Sequence, residues 1–305
     1  MGALFACCRL FLWPGLGRST SGFWGPRSPF ESPRGVLSVS TSPLIDSGAP
    51  RETAIPQLLK QEGAKLLSLA GRFCGSRTEA EDLVQEVFLQ AWSGWDKFEG
   101  RSAPGTWLYS IAVRTCQRMH RKKSGEPDRL ESLDELLPLG SARMALLPSQ
   151  DAGPLDLQLQ KEQVELIEAA ISSLPQDFRL PLILKEVVGF SVQDVGLILD
   201  LPENTVKTRL HRGRLRLRAA MDTVLPQTQG VDPNYSREVC LDLLAAKQKC
   251  LDKHLEFEFP DGIICERCAS VFGTMDLAQA TCRQIGEGTL PEALQSQILV
   301  RLEGS

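Results

Sequence analysis

Apolar residues recur with the spacing of amphipathic helices over residues 55–221. Leucines with helical spacing predict a first helix, at Leu58, Leu59, Leu66, Leu67 and Leu69. The same spacing predicts a second helix over residues 79–92 and a third over residues 107–123. No strand-like alternation interrupts the pattern before residue 225, so the sequence predicts an all-α fold.

Stretches rich in proline, glycine and charge divide this helical pattern into domains. Residues 51–123 and 161–222 are predicted as two small helical domains, joined by a flexible acidic linker over residues 124–160. Residues 235–305 are predicted as a small helical tail domain rich in cysteine. Residues 1–50 show no helical or strand period, and we interpret them as a disordered head or as upstream sequence translated from a misassigned start.

The net charge changes sign along these segments. Residues 51–123 and 166–220 carry +4 and +2, whereas residues 124–165 and 221–305 each carry −6. Basic segments flanked by acidic ones indicate binding to a polyanion such as nucleic acid. The composition, 42% hydrophobic and 24% charged residues, is ordinary for a globular protein. No apolar run approaches the roughly 18 residues of a membrane-spanning helix, so no membrane partner is predicted.

The most specific pattern is a pair of helices separated by a three-residue turn. Ser191 begins the first helix, Asp200–Pro202 form the turn, and the second helix runs from Glu203 to about Met221. This is the plan of a helix-turn-helix, whose second helix enters the major groove of DNA. The second helix is strongly basic, which favours DNA contact over a solvated surface. We predict base contacts at its leading end and phosphate contacts further along, from Asn204, Thr205, Lys207, Thr208, Arg209, Arg212, Arg214, Arg216 and Arg218.

A second basic helix is predicted over residues 107–123. Its basic side chains, which we predict to bind DNA, are Arg114, Arg118, Arg121, Lys122 and Lys123. Aromatic residues surround its start, at Trp92, Trp95, Phe98, Trp107 and Tyr109. Basic residues beside aromatic ones are typical of surfaces that bind single-stranded nucleic acid, where bases stack on the rings. For Trp92 and Trp107 we favour the alternative that they belong to the hydrophobic core.

Two stretches resemble the bacterial sigma-70 family of initiation factors, in its extracytoplasmic-function (ECF) class. The run LPQDFRLPLILKEVVGFSVQDVGLILDLPENTVKTRLHRGRLRLR, from Leu174 to Arg218, resembles region four. The run AEDLVQEVFLQAW, from Ala80 to Trp92, followed by TWLYSI, from Thr106 to Ile111, resembles region two. Both stretches stand in the family's order, with the acidic linker between them.

This resemblance implies how each region works. In the family, region four reads the minus-thirty-five promoter element and touches the flap of RNA polymerase, and region two reads the minus-ten element. The resemblance further implies that Asp82, Gln85 and Glu86 dock on the clamp helices of core RNA polymerase. Where the family usually has Glu-Ile-Ala in the first helix of the helix-turn-helix, this chain has Asp194, Val195 and Gly196.

The resemblance implies a sigma factor that binds core RNA polymerase and promoter DNA, directs transcription initiation, and is not an enzyme. It also implies a cytoplasmic, nucleoid-associated location in a bacterium and a separate anti-sigma factor as a partner. The residues alone leave open a helix-turn-helix regulator that does not act through core polymerase. A metal-dependent enzyme is not favoured, because the chain has only three histidines and no visible nucleophile–base pair.

The tail contains five of the nine cysteines: Cys240, Cys250, Cys265, Cys268 and Cys282. Cys265 and Cys268 have the spacing of a metal knuckle, which needs two further ligands. We predict a zinc site completed by Cys240 and His254, and no other cofactor; a thiol redox switch and plain buried cysteines are the alternatives.

The tail also resembles the zinc-binding anti-sigma fold. Cys240, Cys265 and Cys268 fit that pattern, and Asp261 stands where the family has a histidine. If residues 265–285 form one helix, Cys282 lies about 21 Å from Cys268 and cannot share the ion. A fused anti-sigma-like tail implies self-regulation, and we hypothesise that this acidic tail covers a basic surface of the sigma domains.

Overall fold

The first helical module consists of α1 (Arg51–Phe73), α2 (Arg77–Gly94) and α3 (Pro104–His120), each packed against the other two. The side chain of Ser76 caps α2 by accepting a hydrogen bond from the backbone N–H of Glu79. α3 begins three residues before the predicted start, because proline fits the first position of a helix, where its missing N–H costs nothing.

The computed structural model describes residues 45–46, 48–74, 76–120, 143–147, 154–232, 234–255, 257, 264–286 and 288–304. All of them belong to one compact unit, Ser42–Ser305. In this part of the chain no helix is both long enough and apolar enough to cross a bilayer.

The second module contains the predicted helix-turn-helix. It comprises α4 (Pro154–Ser173), α5 (Gln176–Leu182), α6 (Val192–Leu199) and α7 (Glu203–Val224). α5 runs on into a π-helical turn, Ile183–Val188, whose residues are almost all buried. α4, α5 and α6 all pack against α7, which is therefore the central helix of the module.

The tail is helical, as predicted, and consists of α8 (Arg237–Asp252), α9 (Glu266–Gly286) and α10 (Glu292–Glu303). A short antiparallel ribbon joins the linker to the segment after α7, with β1 (Arg143–Ala145) paired to β2 (Gln227–Gln229). The sequence predicted no strand in the linker. Three-residue strands are too short to show an alternating pattern, so this ribbon is recognisable only from its pairing.

The two modules share one hydrophobic core instead of lying apart on their linker. α3 packs against α6, and the ring of Tyr109 in α3 meets the ring of Phe190 edge-on at 4.8 Å. α9 and α10 add Ala278, Cys282 and Ile298 to this core. A second, smaller core lies between α7, α8 and α9 and includes Leu215, Cys240, Leu244, Cys265, Cys268 and Phe272.

Candidate nucleic-acid interface

The helix-turn-helix forms as the sequence predicts. Ser191 caps α6, with its hydroxyl oxygen accepting from the backbone N–H of Asp194 at 3.0 Å. Asp200 ends α6 in the left-handed conformation, at φ 55°. Gly196 allows this tight turn, because a β-carbon there would lie 2.9 Å from the backbone oxygen of Leu201. The glycine that weakens helix propensity is therefore explained by the close approach of the turn.

The leading end of α7 is open to solvent. Asn204, Lys207 and Thr208 are exposed, and Thr205 is half-buried. Lys207 pairs with Glu203 at 3.2 Å, an exposed contact worth little and easily exchanged for a phosphate. Arg209 lies 3.5 Å from Asp177. The side chains predicted to meet base edges are thus presented together on one accessible helix end.

The arginines further along α7 depart from the sequence-based prediction. Arg214 was assigned to DNA, but its side chain is 6% exposed and is turned into the protein. Its Nε donates to Glu186 at 2.8 Å, and its Nη1 donates to Gln248 at 2.9 Å and to Asp252 at 2.7 Å. Arg218 is also buried and pairs with Asp222. Arg212 is half-buried. In this arrangement Arg214 holds the tail instead of contacting phosphate.

Glu186, Arg214, Gln248 and Asp252 form a buried ion-pair junction between the second module and the tail. Burial raises the pKa of Glu186, but Arg214 and the amide of Gln279 outweigh burial, so the pKa is lowered. Burial lowers the pKa of Arg214, but Glu186 and Asp252 outweigh it and raise the pKa. Both groups are therefore held in their charged forms. No local sequence pattern indicates this junction, because its members come from three separate elements.

The predicted polymerase-docking residues of the first module differ in their exposure to solvent. Asp82 is exposed, and Glu86 is half-exposed with its carboxylate 3.5 Å from Arg118. Gln85 is 8% exposed, and its amide donates to Gln297 of α10 at 3.2 Å. The tail therefore covers Gln85 but leaves Asp82 exposed on the helix face that the resemblance assigns to core polymerase.

The basic face of α3 is open where the structure describes it. Arg114 and Arg118 are exposed. Arg121, Lys122 and Lys123, also predicted to bind DNA, lie outside the described residues. Most of the neighbouring aromatic rings are used for packing: Trp92 and Trp95 are buried, and Phe98 and Trp107 pack together at 5.0 Å. The core role favoured for Trp92 and Trp107 agrees with this packing.

The cysteines of the tail are brought together in part. Cys240, Cys265 and Cys268 lie in the small core, where the Cys268 thiol interacts with both other thiols. Burial and the neighbouring Cys265 raise the pKa of Cys268 to about 12. Burial raises the pKa of Cys265, but backbone N–H groups including that of Cys268 outweigh burial and lower it. α9 is one continuous helix, so Cys282 lies apart in the large core, as expected.

His254 does not join these thiols. Its Nε2 is 2.6 Å from the Nζ of Lys185 in the π-helical turn. Burial lowers the pKa of Lys185 to about 8. Among the described residues no group of three or more His, Cys, Asp or Glu side chains is arranged to hold a metal ion, and Asp261 lies outside them. The predicted ligand set of Cys240, His254, Cys265 and Cys268 is therefore not assembled by this structure.

Comparison with known proteins identifies the family. Residues 58–126 match the sigma-70 region 2 model, and residues 165–217 match the sigma-70 region 4 model. The chain is 34% identical over 155 residues to the ECF RNA polymerase sigma-E factor of Escherichia coli K12, covering 49% of this chain and 77% of that protein. It is also 34% identical over 155 residues to the ECF RNA polymerase sigma factor SigW of Bacillus subtilis, covering 50% of this chain and 81% of that protein.

The structure of CnrH in complex with the cytosolic domain of CnrY aligns with a TM-score of 0.40 at 22% identity, over 58% of this chain and 92% of that chain. The two region matches and the relatives together define the class: this chain belongs to the ECF sigma factor family.

Proposed function

We propose that the protein binds core RNA polymerase and directs transcription from specific promoters, acting in the cytoplasm at the nucleoid and performing no chemistry of its own. The observation that carries this proposal is the match to both sigma regions, in the family's order, in one chain. The exposed leading end of α7 supports it, since that end is where a helix-turn-helix meets base edges.

Run-off transcription with purified core RNA polymerase and a library of genomic promoters tests this function. We expect transcripts from a small set of promoters only when the protein is added. A helix-turn-helix regulator that does not serve polymerase would bind DNA yet give no such transcript, and that outcome would overturn the proposal.

Replacing Asn204 with Ala is expected to weaken promoter binding by the polymerase complex by about 1–3 kcal/mol, the range for one good base contact. The measurement is promoter affinity with core polymerase present. Thr223→Ala, at the exposed far end of the same helix, is the matched control and should leave affinity unchanged. Equal affinities for the two variants would contradict the assignment of the leading end to base reading.

We further propose that the tail keeps the factor in an autoinhibited state, in which it covers part of α7 and part of the polymerase-docking face of α2. Three contacts support this: α8 holds Arg214 through Gln248 and Asp252, α9 packs against the π-helical turn, and α10 packs against α2. In this state Arg214 and Arg218 of α7 are buried, and so is Gln85 on the face assigned to polymerase. A separate anti-sigma factor, which the family resemblance implies, would have to compete with α10 for that face of α2.

Zinc stays a prediction of the sequence. If it is correct, the purified protein should contain about one zinc ion per chain, with its remaining ligand from outside the described residues. The zinc should be lost in Cys265→Ser and retained in Cys282→Ser, since Cys282 lies in the other core. Metal analysis by mass spectrometry checks this, and a metal-free wild-type protein isolated without chelators would contradict it.

A further inference from the structure

The linker between the two sigma modules is attached by its residues 143–147 to β2, which follows α7, and to α9 of the tail. β1 pairs with β2 from Arg143 opposite Gln229 to Ala145 opposite Gln227. The backbone N–H of Leu146 extends the pairing by donating to the carbonyl of Pro226 at 2.8 Å. The linker is thus bonded along its backbone, in the manner of a peptide added to a strand.

The other side of this linker segment rests on α9 of the tail. The hydroxyl of Ser270 donates to the carbonyl of Ala145 at 2.8 Å, and Ala145 is buried. One helical turn along α9, Gly273 faces Leu147, and a β-carbon on Gly273 would overlap the Leu147 side chain.

Gly273 stands in the interior of α9, where glycine weakens a helix relative to alanine. The helix continues through it without a break. The glycine makes a shallow notch that receives the end of the Leu147 side chain, which stays 42% exposed on its other side.

We propose that Ser270, the Gly273 notch and β2 form a docking site for linker residues 143–147, and that this linker clamp limits how far the first module can move from the second when their shared core opens and α9 stays in place. Residues 121–153 connect α3 to α4, and the clamp leaves only residues 121–142 between α3 and the anchored strand. The fully extended reach from the first module thereby falls from about 110 Å to about 75 Å. The role of the clamp in a transcription factor rests on the proposed function, whereas the existence of the clamp does not depend on that function.

Limited trypsin digestion of the full-length protein tests the clamp, because the bond after Arg143 lies within the paired strand. Gly273→Leu fills the notch and should increase the rate of cleavage after Arg143, measured by mass spectrometry, by about tenfold. Gly71→Leu is the matched control, since Gly71 is also helical but has open space around its β-carbon position.

A second variant separates loss of the clamp from damage to α9. Leu147→Ala removes the side chain that occupies the notch, so a larger side chain at position 273 no longer collides with it. Gly273→Leu should therefore add little further cleavage in a Leu147→Ala background. The clamp is disproved if Gly273→Leu is cut no faster than Gly71→Leu, or if its effect is undiminished in the Leu147→Ala background. The assay contains no polymerase and no DNA, so its result does not depend on whether the chain is a working sigma factor.

Discussion

Replacing Ile298 with Asp is expected to increase the affinity of the protein for core RNA polymerase at least about tenfold. Ile298 is 1% exposed and lies in the large core, on the helix that packs against α2. A carboxylate at this position would be buried without a partner, which is energetically unfavourable. Dissociation of α10 from α2 would expose the carboxylate to water and remove this unfavourable free energy. Release of α10 would uncover Gln85 and the helix face assigned to polymerase. Binding of labelled protein to core polymerase measures the change.

Val300→Asp is the matched control for this prediction. Val300 is a β-branched residue on the same helix and is 69% exposed, so the same charge is introduced without disturbing the contact with α2. We expect Val300→Asp to bind polymerase like the wild type. If Ile298→Asp also binds like the wild type, although its circular dichroism shows a folded protein, α10 does not restrict access to α2.

Replacing Glu186 with Ala is expected to reduce the free energy of unfolding by about 3–5 kcal/mol. The Glu186 side chain is 2% exposed and accepts hydrogen bonds from Arg214 at 2.8 Å and from Gln279 at 2.7 Å. Without Glu186, the buried guanidinium of Arg214 keeps only Gln248 and Asp252 of the tail as partners. The cost of burying this charge is then no longer fully offset. Denaturant unfolding measures the loss.

Glu203→Ala provides the comparison, because Glu203 also pairs with a basic residue but at the surface, with its side chain 53% exposed. Its removal should cost no more than about 0.5 kcal/mol. Similar losses for the two variants would mean that the buried junction does not stabilise the protein. Because the pKa of Glu186 is lowered from 4.5, its stabilisation should be present at neutral pH and lost only as the pH falls through that lowered value.

Local sequence patterns predicted the helices and the helix-turn-helix correctly. Ser191 and Asp200 lie where the sequence placed the start of α6 and the turn, since capping and turn chemistry depend on a few neighbouring residues. The exposure of Asn204 and Lys207 also followed from their positions on a basic helix face. The prediction that Cys282 lies far from Cys268 is also correct, because the rise per residue determines distances along one helix.

The sequence alone determined which residues form helices, which faces are apolar and which family the chain resembles. Only the tertiary structure decided which face meets which partner. Arg214 has the same local pattern as the half-buried Arg212 and Arg216, yet Glu186 and Asp252, distant in sequence, draw it inward. His254 meets Lys185 instead of the thiols, and Gly273 faces Leu147 of the linker. Periodicity describes one element at a time, whereas these contacts depend on how several elements pack together.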